Sequence, residues 1–472
     1  MSVKTKFESV AAKKALDFLF EDPESRIPQA MDLVDRLSPT DLYPSQRNAI
    51  RGAIGRKDNW YQLLMKIFDL DKDYAKRLMK TFVVDANLSC WPTQEENRSK
   101  FGCNIPWSVL LDPTSACNLH CTGCWAADYD KRVDLSLEDI DSIIEQGKAL
   151  GTHVFIYTGG EPLVRKRDLI ELCEKHQDCI FLSFTNGTLI DEEFCDDMLR
   201  VANFVPAISV EGFEEATDSR RGDGTFAKVA KAMYLMRQKG LAFGVSCCYT
   251  SANVSDIASE KFFNWLVGQG ALFAWFFTYM PIGAGAPTDL MASASQREYM
   301  YHFIREMRDE KPLFTMDFWN DGEFVGGCIA GGRRYLHISA AGDVEPCVFA
   351  HYSNSNIHDA SLLDAYRSPL FMAYRAAQPF SENLLRPCPI LDNPGELARL
   401  VAESGAASTN PVGGEEASVL CEKCRPTAEA WEPVAERLWN NPQDPRHETR
   451  ENGTSGQADT DLERLRQLGR LS

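Results

Sequence analysis

The stretch Ser115-Ala116-Cys117-Asn118-Leu119-His120-Cys121-Thr122-Gly123-Cys124-Trp125 follows closely on the apolar run Val109-Leu110-Leu111. Its three cysteines therefore lie on a loop leaving a predicted strand. Thiolates spaced in this way hold three irons of a cubane cluster and leave the fourth open, whereas four thiolates close a site. Taken alone, the same residues also suit a zinc site completed by His120, or a purely structural cluster.

Working outward, apolar runs alternate with amphipathic ones from about residue 105 to 310. Strands are predicted at 109–113, 153–158, 179–185, 204–210, 243–249 and 272–280. Helices are predicted between and after them at 137–150, 168–176, 192–201, 226–239, 257–268 and 295–310. Nearly continuous apolar strands alternating with amphipathic helices imply a parallel sheet covered by helices. Six such units, rather than eight, imply an α/β fold built as a partial (β/α)6 barrel.

Residues 1–104 read as mostly helical, with Leu63, Leu64, Ile67, Phe68, Leu78, Met79 and Phe82 at helical spacing. The expected role is a packing layer over the barrel of residues 105–310. The rhythm breaks over 311–440, where Gly326, Gly327, Gly331 and Gly332 accompany five more cysteines, as in a smaller appended domain. Residues 441–472 are polar and charged and read as a flexible tail.

With 472 residues the chain has room for two or three domains. A net charge of −18 argues against a nucleic-acid partner, which needs a basic face. The first twenty residues read as an amphipathic helix rather than an export signal. The longest apolar-aromatic run, 271–280, is too short to span a bilayer. The expected location is the cytoplasm, without a transmembrane segment. Fifteen cysteines in such a chain point to metal or cluster ligation rather than disulfides. Cys173, Cys179, Cys195, Cys247 and Cys248 fall inside helix or strand patterns and are expected to be packing residues.

Ligands of α/β barrels lie at the carboxyl ends of the strands. Besides the three cysteines, those ends carry Thr158-Gly159-Gly160-Glu161-Pro162, Thr185-Asn186-Gly187, Ser209-Val210-Glu211-Gly212 and Tyr279-Met280-Pro281-Ile282-Gly283. On these residues, the region of about 105–290 resembles the radical S-adenosylmethionine (SAM) enzymes. The resemblance implies a 4Fe–4S cluster on Cys117, Cys121 and Cys124, with its open iron chelated by the amine and carboxylate of SAM. It implies Gly159, Gly160, Glu161 and Pro162 at the methionine amine, and Asn186, Ser209 and Glu211 along the ribose and carboxylate. Arg221 would meet a carboxylate. The family usually carries, just before the third cysteine, an aromatic residue that packs near the adenine. Here Gly123 stands in that place, with Trp125 as the candidate substitute.

Cys328 and Cys347 bracket Gly342, Cys388 lies in Arg-Pro-Cys-Pro, and Cys421 and Cys424 form a Cys-x-x-Cys pair. This set resembles the auxiliary-cluster domains called SPASM and, in their one-cluster form, Twitch. The resemblance implies one auxiliary 4Fe–4S cluster on Cys328, Cys347, Cys421 and Cys424, with Cys388 spare or replacing one of the last pair. A structural zinc on the same cysteines is the other reading.

The resemblance further implies that an electron from a low-potential flavodoxin- or ferredoxin-type donor reduces the first cluster. Cluster potentials span about −700 to +450 mV, and the reducing end is required here. Cleavage of SAM would then give a 5′-deoxyadenosyl radical that abstracts hydrogen from a substrate C–H bond. A peptide or protein substrate is expected. Radical C–C coupling of lipids and small-metabolite oxidation are the alternatives, and a non-catalytic iron–sulfur electron carrier is the reading of another class. Phe273, Trp275, Phe276, Phe277 and Tyr279 are expected to pack in the core, the alternative being an apolar pocket.

Overall fold

Backbone pairing turns the predicted alternation into one sheet. A computed structural model of the chain describes residues 3–37, 44–126, 133–283, 285–410 and 414–444. Nine strands, β1 (Ser108–Leu111), β2 (Val154–Tyr157), β3 (Ile180–Thr185), β4 (Phe204–Ser209), β5 (Gly244–Tyr249), β6 (Phe273–Thr278), β7 (Phe314–Asp317), β8 (Tyr335–Ile338) and β9 (Val344–Glu345), form it. Their order is β7-β6-β5-β4-β3-β2-β1-β8-β9, parallel throughout except for the β8–β9 pair. The six strands read from the sequence run in series, as a partial (β/α)6 barrel requires, and β7 and β8 extend the two edges.

The connecting helices start and stop for local reasons. Leu137–Leu150 begins at a capping box, in which the Ser136 hydroxyl accepts from the Asp139 N–H and the Asp139 carboxylate accepts from the Ser136 N–H. It ends at Gly151, whose φ of 102° only glycine adopts freely. Ile140, Ile143, Ile144 and Leu150 on its inner face join the strands' outer face in the core.

The sheet curls until its two edges meet. Phe318, directly after β7, lies 6.1 Å from Tyr335 of β8, ring centroid to ring centroid. Across the interior, Phe184 of β3 touches Trp275 of β6 at 5.1 Å. The barrel is therefore narrow, and rings bridge its open side.

The described residues of 3–101 form helices joined by short turns and pack on this barrel. Tyr74, Leu78 and Ala86 share the core with the strands. Asn59 Nδ2 donates to the carbonyls of Arg308 (2.7 Å) and Lys311 (3.1 Å). Phe82, expected on the packing face, is instead exposed. It falls in a π-helical stretch, Lys80–Leu88, whose extra residue per turn breaks the 3.6-residue spacing. The expected polar tail lies, from residue 445 onward, outside the described residues. Among the described residues, no helix is long and apolar enough to cross a membrane.

Candidate active site

The cysteine loop is fastened at three points. Gly160 N–H donates to Thr114 O (3.1 Å) and Glu161 N–H to Ala116 O (2.8 Å), tying it to the end of β2. Asn186 Nδ2 donates to Asn118 Oδ1 (2.8 Å), tying it to β3. Thr122 N–H donates to Arg220 O (2.8 Å), tying it to the helix Glu214–Arg221. A Cβ on Gly160 would stand 2.2 Å from Ala116 O, and Gly159 holds a φ of +100°. Both glycines are thus required by the close approach of the two loops.

Glu161 is buried, with Oε1 accepting from Thr185 Oγ1 (2.6 Å) and Leu163 N–H (3.0 Å), and Oε2 from Asn186 N–H (2.7 Å). Burial pushes its carboxyl up, against the pull of those three bonds. Glu211 is buried beneath an arginine pair. It accepts from Arg220 Nη1, from Arg221 Nε (2.9 Å) and Nη2, and from Cys248 N–H (3.1 Å). Burial works to raise its carboxyl, but Arg221 and Arg220 outweigh it and hold it below the ordinary range. Arg221 Nη1 in turn lies 4.0 Å from Cys121 Sγ.

One cavity of ≈ 230 Å³ gathers most of the predicted site: Cys117, Cys121, Cys124, Gly159, Gly160, Glu161, Asn186, Ser209 and Arg221 all line it. Pro162 and Glu211 do not. Pro162 starts a 3₁₀ turn, Pro162–Arg165, and Glu211 serves the arginines from behind. His120 is exposed and outside the lining.

Five lining residues were expected elsewhere or left unassigned by the sequence. Cys248, expected to be a packing residue, faces the cavity while Cys247 is buried against the outer helices, because successive strand residues point to opposite faces. The same alternation divides the aromatic run of β6: Trp275, Phe277 and Tyr279 line the cavity, and Phe276 packs outside. Period-two reading of β5 and β6 was the available signal. Arg220, the last of them, is brought in by its bond to Glu211.

Tyr279 also accounts for Gly123. A Cβ at Gly123 would stand 2.7 Å from the Tyr279 ring, so Tyr279 fills the space a side chain there would take. Tyr279 is 2% exposed, and its hydroxyl is buried without a hydrogen-bond partner. Trp125 lines the same cavity, stacked on His351 at 5.9 Å and set edge-on to Phe349 at 6.5 Å.

The second cysteine set lies behind the cavity wall formed by Ile329, Tyr335, Val348 and Phe349. Cys347 Sγ meets the Tyr335 hydroxyl (2.8 Å) and accepts from Phe349 N–H (3.5 Å). Cys388 Sγ accepts from Ile390 N–H and Leu391 N–H, both at 3.4 Å. Cys328 receives a similar bond from Ala330 N–H. Burial raises the Tyr374 phenol, and Cys347, Cys328, Cys388 and Cys421 all add to that rise. Cys421 and Cys424 are buried on the helix Ala417–Trp439.

These donors fit iron–sulfur groups. Backbone N–H groups aimed at sulfur suit thiolates that carry charge to a metal. Behind the first three cysteines, two guanidiniums offset anionic charge. Among the described residues, no three side groups of His, Cys, Asp or Glu converge on a single ion. A cubane asks for no such convergence, since each thiolate meets its own iron. The unpartnered Tyr279 hydroxyl gives the cavity a polar group for an organic ligand such as SAM.

Residues 111–257 match the family model described as the radical SAM superfamily, and residues 328–389 match that of an iron–sulfur cluster-binding domain, SPASM. The chain is 32% identical over 156 residues to an Fe-coproporphyrin III synthase of Methanosarcina barkeri (strain Fusaro / DSM 804). That match spans 32% of this chain and 38% of that relative. It is 25% identical over 329 residues to a PqqA peptide cyclase of Gluconobacter oxydans (strain 621H), spanning 65% of this chain and 90% of that one. In fold it is similar to Streptococcus suis SuiB bound to precursor peptide SuiA, with TM-score 0.51 and 18% identity over 61% of this chain and 71% of that one.

Proposed function

We propose that this chain, a radical SAM enzyme with a SPASM domain, holds its SAM-cleaving 4Fe–4S cluster on Cys117, Cys121 and Cys124 and removes hydrogen from a C–H bond of a peptide substrate. Its cofactors are that cluster, SAM, and an auxiliary iron–sulfur centre. The observation that carries the reading is that the three cysteines, Glu161 and the arginine pair line one cavity. When bound, SAM and the reduced cluster supply a carbon-centred radical able to attack an unactivated C–H bond.

The protein's part is orientation and exclusion. Gly160, Glu161 and Asn186 hold the cysteine loop at the barrel rim. Arg220 and Arg221, locked on Glu211, offset the negative charge of the thiolates. Tyr279 fills the space beside Gly123, and Trp125, which lines the same cavity, is the aromatic face open to the nucleoside. Aromatic walls keep water from the radical. A low-potential donor of flavodoxin or ferredoxin type delivers the electron.

For the auxiliary centre we assign Cys328, Cys347, Cys388 and Cys421, because all four raise the one buried Tyr374 phenol and three of them accept backbone N–H groups. Cys424 is then the spare. The peptide reading draws support from the similarity to a PqqA peptide cyclase over 90% of that relative's length. A tetrapyrrole substrate is the second reading, favoured by the similarity to an Fe-coproporphyrin III synthase and by the aromatic cavity.

One anaerobic reconstitution tests both assignments. Wild-type protein with dithionite and SAM is expected to release 5′-deoxyadenosine, and Cys121→Ala to release none. Equal yields from the two would refute the reading. Iron should be about eight per chain, falling to about four in Cys388→Ser and staying at about eight in Cys424→Ser, since each cubane holds four irons.

A further inference from the structure

Below its rim the cavity continues toward the opposite end of the barrel. Its lining includes Leu110 and Ser108, the inward residues of β1, and beyond them Trp107 and Arg334. The four residues of β1 span about 10 Å, so the cavity runs roughly the length of the strand. One side is a continuous row of rings. Phe184 meets Trp275 at 5.1 Å and Phe277 at 5.7 Å, Phe277 meets Phe318 at 5.2 Å, and Phe318 meets Tyr335 at 6.1 Å. Leu110, Ile156, Ile329 and Val348 add aliphatic surface.

The deep half of this lining holds no carboxylate among the described residues. Glu161, the sole carboxylate of the whole lining among them, sits at the rim, held by Thr185 and Asn186. Arg220 and Arg221 stand at the same rim, paired with Glu211, and the charged lining residue of the deep half is Arg334. In a chain of net charge −18 such a lining is selective. A cation entering the deep half would lose its hydration without meeting a carboxylate. A row of rings matches a flat aromatic group by offset or edge contacts. A flexible acyl group would gain less there and lose more rotational freedom.

We infer that the deep, aromatic half of the cavity receives a planar aromatic group of the substrate that is neutral or anionic, and excludes a cationic one. The inference rests on the reading of this site as the substrate site of a SAM-dependent enzyme, and it names the chemistry of the group to be positioned. An aromatic side chain of a peptide and a tetrapyrrole both have that chemistry.

The test is fluorescence titration of the anaerobically reconstituted full-length protein with three probes of different chemistry. The planar anion 1-anilinonaphthalene-8-sulfonate is expected to bind one to one, and the planar cation thioflavin T at least tenfold more weakly. Gly-Trp-Gly or coproporphyrin III should displace the anionic dye, and decanoate should not. Displacement by the tripeptide alone assigns the peptide source, and displacement by the porphyrin alone the tetrapyrrole. Trp275 and Ser246 both line the cavity, so Trp275→Glu and Ser246→Asp each bring a carboxylate into the slot. Either is expected to weaken the anionic dye at least tenfold and to admit thioflavin T, and the one that keeps the wild-type circular dichroism decides. Equal binding of the two dyes, displacement by decanoate, no displacement by either aromatic competitor, or wild-type dye binding in a folded carboxylate variant would each overturn the inference. Absence of 5′-deoxyadenosine with the dye pattern intact would sink the proposed reaction and leave the pocket assignment standing.

Discussion

Gly160 shows how a single missing side chain organises the rim. Its hydrogen places the end of β2 against Ala116 O and Ser115 O, where a Cβ would stand 2.2 and 2.5 Å away. Gly160→Ala must therefore push back the backbone that leads into Cys117. The expected cost is about 1–3 kcal/mol in urea unfolding, as for overpacking elsewhere, together with loss of iron from the first cluster while the auxiliary irons remain. Unchanged iron content would show that the rim tolerates the displacement. At this scale the sequence announced the glycines but not what they touch. Gly123 read as a departure from pattern, and its explanation, the Tyr279 ring, lies 156 positions further along the sequence. Cys248 was equally opaque, because neighbouring cysteines on a strand look alike until one face is known to be hollow.

Among elements, the helix Ala294–Glu310 does more than cover β6 and β7. Its Arg297 is buried and paired with Asp392, sits 4.2 Å from the face of Trp431, and donates from Nε to Asn320 Oδ1 (2.9 Å). Asp392 Oδ2 accepts the N–H of Cys388 (3.0 Å), so the pair links a barrel helix to a proposed cluster ligand. Removing one partner leaves the other charged and buried. Arg297→Ala is expected to destabilise the protein by about 3–5 kcal/mol, and the double variant Arg297→Met/Asp392→Leu by distinctly less. Urea denaturation of both settles it; a double variant no better than the single would count against the pair as the cause. The helix itself was legible as 295–310; the structure starts it at a Ser293–Gln296 capping box and turns Met300, Ile304 and Met307 inward. Its arginine read as one charge among many, since a partner 95 residues away has no local signature.

For the whole molecule, the decisive feature is the closure of the sheet on itself. His337 of β8 is fully buried between Asp112, following β1, at 2.9 Å and Glu345 of β9 at 2.7 Å. Burial opposes its charge, but Asp112 and Glu345 outweigh it and lift the imidazole to about 10. A raised folded-state value means that this group's stabilisation is complete below its unfolded value of about 6.5 and is lost as pH climbs through about 10. The urea midpoint of the protein should therefore fall steadily from pH 7 to 10, and the fall should be shallower in His337→Gln. A slope the same in both would exclude His337 as its source.

The sequence by itself determined the local alternation of strand and helix, the cysteine loop at a strand end, and the rim residues around Gly160 and Glu161. Those depend on periodicity and turn chemistry, which act over a few residues. Only the tertiary structure decided that Tyr335 meets Phe318 across the barrel's open side, that Tyr279 stands in for a side chain at Gly123, and that Cys248 rather than Cys247 faces the cavity. Such contacts arise from the curl of the sheet, which brings together residues whose spacing in sequence says nothing about their distance in space.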